Sequence, residues 1–135
     1  MASKPANPLD NITLKDIPAI LPALSQADQE LLLAQLEKLE ELKRQKLAQD
    51  RFMAFVKEVW PTFIGGRHHA IMANAFERVA RVELKRLIIN MPPRHTKSEF
   101  ASYLLPAWFL GQFPQKKVIQ CSHTAELAVG FGRKV

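Results

Sequence analysis

The stretch Arg86 to Glu99, RLIINMPPRHTKSE, decides how the rest of the chain is interpreted. An apolar run, Leu87 to Ile89, precedes two prolines and a polar turn, after which a segment suited to a helix begins. This order predicts a strand, a loop and a helix. Backbone N–H groups at a helix N-terminus point at one spot, where the helix dipole also favours an anion. The stretch therefore predicts a loop that grips phosphate.

The loop can be compared with the phosphate-loop pattern G-x-x-x-x-G-K-[ST], in which the lysine reaches the β and γ phosphates and the hydroxyl ligates magnesium. Aligned on Lys97 and Ser98, the pattern puts Met91 and Thr96 at its two glycine positions. Glycine in place of Thr96 would allow close approach to the phosphate, whereas a β-branched residue resists positive φ. The motif alone is incomplete, so a polar turn that caps a helix and binds no ligand stays open as the alternative.

Each loop residue has an expected role if the loop binds ATP with Mg²⁺. Arg94 would place a second cation near the γ phosphate as charge shifts during transfer. Glu99, in the first helical turn, is expected to orient its neighbours rather than act as a base. Catalytic roles are predicted for Arg94 and Lys97, and magnesium binding for Ser98. The predicted nucleotide-binding residues are Arg94, His95, Thr96, Lys97, Ser98 and Glu99.

Length and charge limit the class of protein. The chain has 135 residues, enough for one modest domain, and a net charge of +6. Residues 1–50 carry 6 Lys+Arg and 8 Asp+Glu, whereas residues 51–135 carry 13 and 5. The basic part contains the loop, which suits a nucleic-acid partner or a nucleotide site alone. No apolar window is long enough to span a membrane and the first residues lack a signal-peptide core, so we expect a cytoplasmic protein.

The chain divides into three predicted parts. Residues 1–24 contain four prolines and are expected to form a flexible leader. Residues 25–50 predict an amphipathic helix, with Ser25 as N-cap and a leucine stripe that either binds a partner or packs on its own domain. Residues 51–135 predict an α/β domain. The leucine stripe consists of Leu32, Leu36, Leu39 and Leu42.

Apolar periodicity predicts the elements of the third part. Helices are expected over 51–60, 67–85 and 100–112, the last kinked at Pro106, with a strand over 117–121 and a final helix from Ala125 towards the end. Strand, loop, helix, strand, helix is the order of a parallel sheet with right-handed crossovers. The predicted fold is therefore α/β, with an incomplete P-loop-type parallel sheet preceded by an α-helical segment. Cys121 is expected to be a small core residue of the second strand.

Two other features were weighed as sites. The adjacent His68 and His69 suggest a metal, but no nearby carboxylate or thiol completes a site at a recognised spacing. The basic face of the helix over 67–85, which includes Arg78 and Arg81, could lie along DNA, although a solvated face is the more common explanation.

The run KRLIINMPPRHTKSE, followed by ASYLLPAWFLG and VIQCSHTAELAVGFGRKV, resembles the start of the ATPase domain of the large terminase subunit of tailed bacteriophages. The resemblance covers roughly residues 50–135. In that family the first glycine of the loop is commonly absent, so Met91 is expected, whereas Thr96 replaces a more usual glycine. Lys97 and Ser98 match the phosphate and magnesium contacts, and Arg94 matches the loop arginine. Residues 63–69 lie where the family contacts adenine.

The resemblance implies an ATP-driven motor that moves double-stranded DNA into a capsid, at the procapsid in the host cytoplasm. Its implied partners are a small terminase subunit and a portal, and assembly as a homo-oligomer is expected. The family's Asp-Glu strand, which supports magnesium and positions water, has no counterpart after Ser98. We therefore expect an N-terminal piece that cannot hydrolyse ATP alone, with a nuclease domain downstream. The alternatives are a helicase-type P-loop motor and a non-catalytic protein that binds DNA or a partner.

Overall fold

The computed structural model describes residue 22 and residues 24–135, so nearly all of the predicted leader lies outside the described residues. Two compact units divide the chain, the first ending at Leu42 and the second spanning Lys43–Val135. None of the described helices has the length and apolar content needed to cross a membrane. The helices are α1 (Gln26–Asp50), α2 (Phe52–Val59), α3 (Arg67–Ala80), a π-helix (Glu99–Leu104), α4 (Leu105–Gln112) and α5 (Ala125–Gly132).

Residues 24–135 contain no β-strand, so the prediction of an α/β fold with a parallel sheet is wrong for the described chain. Segments 87–89 and 117–121 were both predicted as strands, yet Ile88 is 86% and Ile119 88% exposed. A strand needs neighbours for its backbone hydrogen bonds, and an isolated pair of strands is at best marginally stable in water. A short apolar run therefore does not suffice to predict a sheet, because it carries no information about neighbouring strands. Cys121, predicted to be buried, is exposed in the same segment.

Helix α1 begins where its N-cap predicts. The Ser25 hydroxyl oxygen accepts a hydrogen bond from the Asp28 backbone N–H at 3.3 Å and donates to the Asp28 carboxylate at 2.6 Å. The leucine stripe is half-buried at Leu32 and Leu36, whereas Leu39 and Leu42 are exposed.

The core of the second unit is built around Phe52 on α2. Its fully buried ring meets three others edge-on, with centroid distances of 5.3 Å to Phe76, 5.6 Å to Phe100 and 5.5 Å to Trp108. Such edge-to-face pairs add to the stabilisation from area burial. The buried faces predicted for the helices over 67–85 and 100–112 are confirmed at these positions. The other buried apolar residues of this core are Val56, Met72, Ala73, Ala80 and Leu104.

A buried carboxylate on α3 caps helix α2. Glu77 Oε1 accepts the Phe52 backbone N–H at 3.1 Å, which supplies an acceptor to a helix whose N-cap side chain, Arg51, makes no capping bond. The same carboxylate pairs with Arg51 at 3.4 Å and with Arg81 at 3.7 Å. These contacts fix the start of α2 on α3.

Helix α3 ends at Ala80, five residues before its predicted end at Lys85. Val82 has a φ of 63°, and the Glu83 N–H donates to the Arg78 carbonyl at 2.9 Å. This is the Schellman arrangement, which normally uses glycine in the left-handed position. Good helix formers follow Ala80, but the tertiary fold overrides their propensity. Lys85 therefore does not extend the basic face of the helix.

The π-helix and α4 run together as one apolar segment that contains Pro106, as predicted. Because Pro106 has no N–H, the Ser102 carbonyl loses its α-helical donor. The Gln120 side-chain amide donates to this carbonyl instead. The exposed segment 117–121 is thereby tied to the helix. Beyond it, the Thr124 hydroxyl accepts the Leu127 N–H at 3.4 Å and caps α5, as its position predicts.

Candidate functional site

The loop over residues 92–98 connects the segment after α3 to the π-helix that begins at Glu99. Residues 92–99 line a concavity of about 400 Å³. The structure therefore brings all six predicted nucleotide-binding residues to one concave surface. Arg94, His95 and Ser98 are exposed there, whereas Thr96, Lys97 and Glu99 are half-buried.

The backbone of the loop has two left-handed residues, Arg94 with a φ of 63° and Thr96 with a φ of 54°. Turns that alternate handedness point successive N–H groups into one concavity, which is how many phosphate sites are formed. Within residues 24–135, the N–H groups of Thr96 and Lys97 donate no hydrogen bond, whereas the turn at residues 93–94 engages the His95 N–H. Two backbone donors are therefore available to an anion.

Thr96 adopts a left-handed conformation that is unfavourable for a β-branched residue. Positive φ in a β-branched residue costs on the order of 1–3 kcal/mol and persists only where the surroundings impose it. Two hydrogen bonds fix the side chain. Its hydroxyl lies 2.6 Å from His69 Nε2 and donates to the His95 carbonyl at 2.7 Å.

His69 is buried, and its two ring nitrogens have defined roles. Nδ1 accepts the Gly66 backbone N–H at 2.9 Å, so it carries no proton. In the neutral ring Nε2 must then hold the hydrogen and donate it to Thr96 Oγ1. Burial lowers the pKa of His69, and the nearby rings of His68 and His95 lower it further. The environment therefore favours the neutral form that this pair of hydrogen bonds requires.

The contact of His69 with the loop was not predicted from the sequence, where His69 stood as half of a metal pair and as part of the adenine-contacting residues 63–69 of the family. A histidine three residues into a helix that follows glycine can cap the helix start, and this was a readable signal. Its contact with Thr96, 27 residues away, had no signal in the sequence. Among residues 24–135, no group of three His, Cys, Asp or Glu is placed to hold a metal ion.

The side chains around the loop favour an anion. Neither Arg94 nor Lys97 forms an ion pair with a carboxylate in the described part of the chain. The carboxylate of Glu99 pairs with Lys134 instead of with Arg94 or Lys97, since its Oε1 accepts a hydrogen bond from Lys134 Nζ at 3.2 Å. His95 Nδ1–H donates to the Pro93 carbonyl at 2.9 Å and closes the turn. Positive charge at the loop is thus left uncompensated.

The hydroxyl of Ser98 fits a magnesium ion that is bound together with a phosphate. Mg²⁺ keeps several waters and takes few protein ligands beside substrate phosphates. Ser98 is exposed at the rim of the loop, and the neighbouring carboxylate of Glu99 is engaged by Lys134. Ser98 alone could therefore contribute to a phosphate-bridged ion, and the loop offers no all-protein cage.

A larger groove, of about 580 Å³, lies beside the π-helix and α4 and reaches segment 117–122. Its lining is mostly apolar, and Lys117 is its single charged residue. Phosphate recognition needs converging donors and positive charge, which the smaller concavity has and the groove lacks. The smaller concavity at residues 92–99 is therefore the candidate phosphate site, although the groove is larger.

Comparisons of the chain with protein-family models, with curated proteins and with solved structures gave no match. The resemblance to the large terminase subunit therefore stays a prediction from the quoted residues.

Proposed function

We propose that residues 92–98 bind the phosphates of ATP together with Mg²⁺. The observation that carries this proposal is the loop itself, in which unbonded N–H groups and two unpaired cations surround one concavity. Lys97 would contact the β and γ phosphates, and Arg94 would add charge near the γ phosphate. Ser98 would contact magnesium, which when bound supplies charge neutralisation between the phosphates.

We further propose that the chain is the ATP-binding portion of a DNA-packaging motor similar to the large terminase subunit. Such a motor couples ATP hydrolysis to movement of double-stranded DNA into the capsid. A small terminase subunit, a portal and a nuclease domain belong to this proposal as well. It is supported by the quoted sequence resemblance and by the loop.

For this chain alone we propose nucleotide binding without efficient turnover. Hydrolysis needs a group that orients the attacking water, usually a carboxylate or an amide. Glu99 is the carboxylate on the loop, and Lys134 holds it at 3.2 Å. The proposed site therefore has the groups that bind a nucleotide and lacks a free carboxylate to activate water.

Titration calorimetry with ATP and Mg²⁺ tests the phosphate loop. Lys97→Ala should weaken ATP binding by about tenfold or more, because it removes a charge-assisted hydrogen bond. Lys57→Ala is the matched control, since it removes an equal charge from an exposed position on α2. Equal affinities for Lys97→Ala and the control, or no binding by the unsubstituted chain, would contradict the proposal.

A non-catalytic protein that binds DNA is the second candidate function. It is favoured by Lys85 and Arg86, which are exposed and form no ion pair with any carboxylate of the described residues. ATP binding that depends on Lys97 would decide for the first candidate. DNA binding without ATP binding would decide for the second.

A further inference from the structure

We propose that His69 is the positioning residue of the phosphate loop, because its Nε2–H holds Thr96 in the left-handed conformation that shapes the loop. The effect on ATP rests on the function proposed above. The effect on the conformation of the loop does not.

Thr96 needs an external restraint to keep its backbone conformation. Its φ of 54° lies in a region that β-branched residues avoid, and its backbone carbonyl is already committed to the Phe100 N–H at 3.0 Å. The side-chain hydroxyl is the group of Thr96 that a residue outside the loop contacts. His69 Nε2 lies 2.6 Å from it.

The ring of His69 is itself held in place by a hydrogen bond and by aromatic packing. The Gly66 N–H at the start of α3 bonds to Nδ1 at 2.9 Å, and the ring packs between Phe63 and Phe100 at centroid distances of 4.8 Å and 5.0 Å. A ring held by its packing and by one hydrogen bond presents the other nitrogen in a set direction. The N-terminus of α3 thereby determines where Thr96 lies.

Thr96 occupies the position at which the phosphate-loop pattern has glycine. Glycine adopts positive φ without a steric cost, so a glycine in place of Thr96 would need no partner. The pair of Thr96 and His69 reaches the same backbone conformation by a side-chain hydrogen bond. His69 should consequently matter when residue 96 is threonine and matter little when it is glycine.

Trypsin cleavage of the ligand-free chain tests the conformational part. Arg94 and Lys97 are cleavage sites inside the loop, and cleavage after Lys57 on α2 reports general unfolding. His69→Leu should accelerate cleavage after Arg94 by about 3- to 10-fold relative to cleavage after Lys57, since one partly buried hydrogen bond is lost. In a Thr96→Gly background the same substitution should change this ratio by less than about twofold.

Two further variants keep the test decisive. His69→Gln retains a donor near the position of Nε2 and should restore most of the protection that His69→Leu loses. Thr96→Val removes the hydroxyl and keeps the β-branch, so it should accelerate cleavage even if His69→Leu does not fold. Equal acceleration by His69→Leu in both backgrounds, or none by Thr96→Val, would overturn the inference.

ATP titration of the same variants then separates the two proposals. His69→Leu should weaken ATP binding by about 3- to 10-fold with Thr96 present and by less than about twofold with glycine there. Loop cleavage that responds as expected, with no ATP binding by any variant, would support the positioning role and refute the proposed function. ATP binding that is unaffected by His69→Leu would refute the positioning role in the site and leave ATP binding standing.

Discussion

Single polar residues in this chain take their roles from partners far away in the sequence. Glu77 reads as an ordinary charged residue of a helix, yet its buried carboxylate caps α2 through the Phe52 N–H at 3.1 Å. His69 reads as half of a metal pair, yet it contacts Thr96. The loop residues themselves were predicted from their order along the chain. Their partners were not, because side chains 25 and 27 residues apart meet only in the folded chain.

The lowered pKa of His69 predicts a loss of stability in mild acid. An unfolded histidine binds its proton near pH 6.5, whereas the folded chain resists protonation at His69 because it is buried and near His68 and His95. As the pH falls below about 6.5, the unfolded state therefore binds more protons and the free energy of unfolding decreases. The decrease ends below the folded-state pKa.

Denaturant unfolding at about pH 7.5 and about pH 5.5 checks this prediction. Wild type should lose more stability between the two values than His69→Leu does. His68 and His95 are present in both proteins, and the rings of Phe63 and Phe100, which also face His69, carry no charge. An equal loss in both proteins would show that His69 is not responsible.

The elements follow the sequence closely where their signals are local. The helix over 26–50, the N-caps at Ser25 and Thr124 and the buried faces around Phe76 and Phe100 are present as predicted, whereas the leucine stripe is buried only in part. The exceptions are the end of α3 and the π-helix before Pro106, where side-chain packing and a missing N–H change the hydrogen bonding. The two apolar runs failed as strands because a strand is stabilised by its neighbours rather than by its own residues.

The bond between Gln120 and the Ser102 carbonyl predicts coupling between two positions. Gln120→Ala should lower the free energy of unfolding by about 1 kcal/mol, because the carbonyl then loses the hydrogen bond from the Gln120 amide. In a Pro106→Ala background the new backbone N–H can reach that carbonyl, so Gln120→Ala should cost clearly less. Denaturant unfolding of the four proteins measures the difference. Equal costs in both backgrounds would contradict the assignment of Gln120 as the replacement donor.

Charge distribution acts at the scale of the whole molecule. Residues 51–135 carry 13 Lys+Arg against 5 Asp+Glu, which predicts attraction to a polyanion. The structure qualifies the predicted basic face of α3, since Arg78 pairs with Glu83 at 4.0 Å and Arg81 with Glu77 at 3.7 Å. The better candidates for DNA contact are Lys85 and Arg86, which follow the helix and are exposed.

Binding of double-stranded DNA should fall steeply with salt, because each phosphate contact releases counterions. Replacing Lys85 and Arg86 together by glutamate should weaken binding and reduce the slope of log affinity against log salt by about 2. The same change at Lys38 and Lys43 on α1 is the control, as residues 1–50 are net acidic. Fluorescence anisotropy across a salt series gives both slopes. Binding that is insensitive to salt would contradict a DNA-facing surface.

The sequence by itself determined where the helices lie, the N-caps Ser25 and Thr124 and the position of the phosphate-loop candidate, because these depend on residues within a few positions of each other. The tertiary structure alone decided that segments 87–89 and 117–121 are not strands, since pairing partners are a property of the fold. It also decided that Thr96 adopts positive φ, a conformation its side chain disfavours. That conformation depends on His69, which is held by the Gly66 N–H and by aromatic packing at the start of α3.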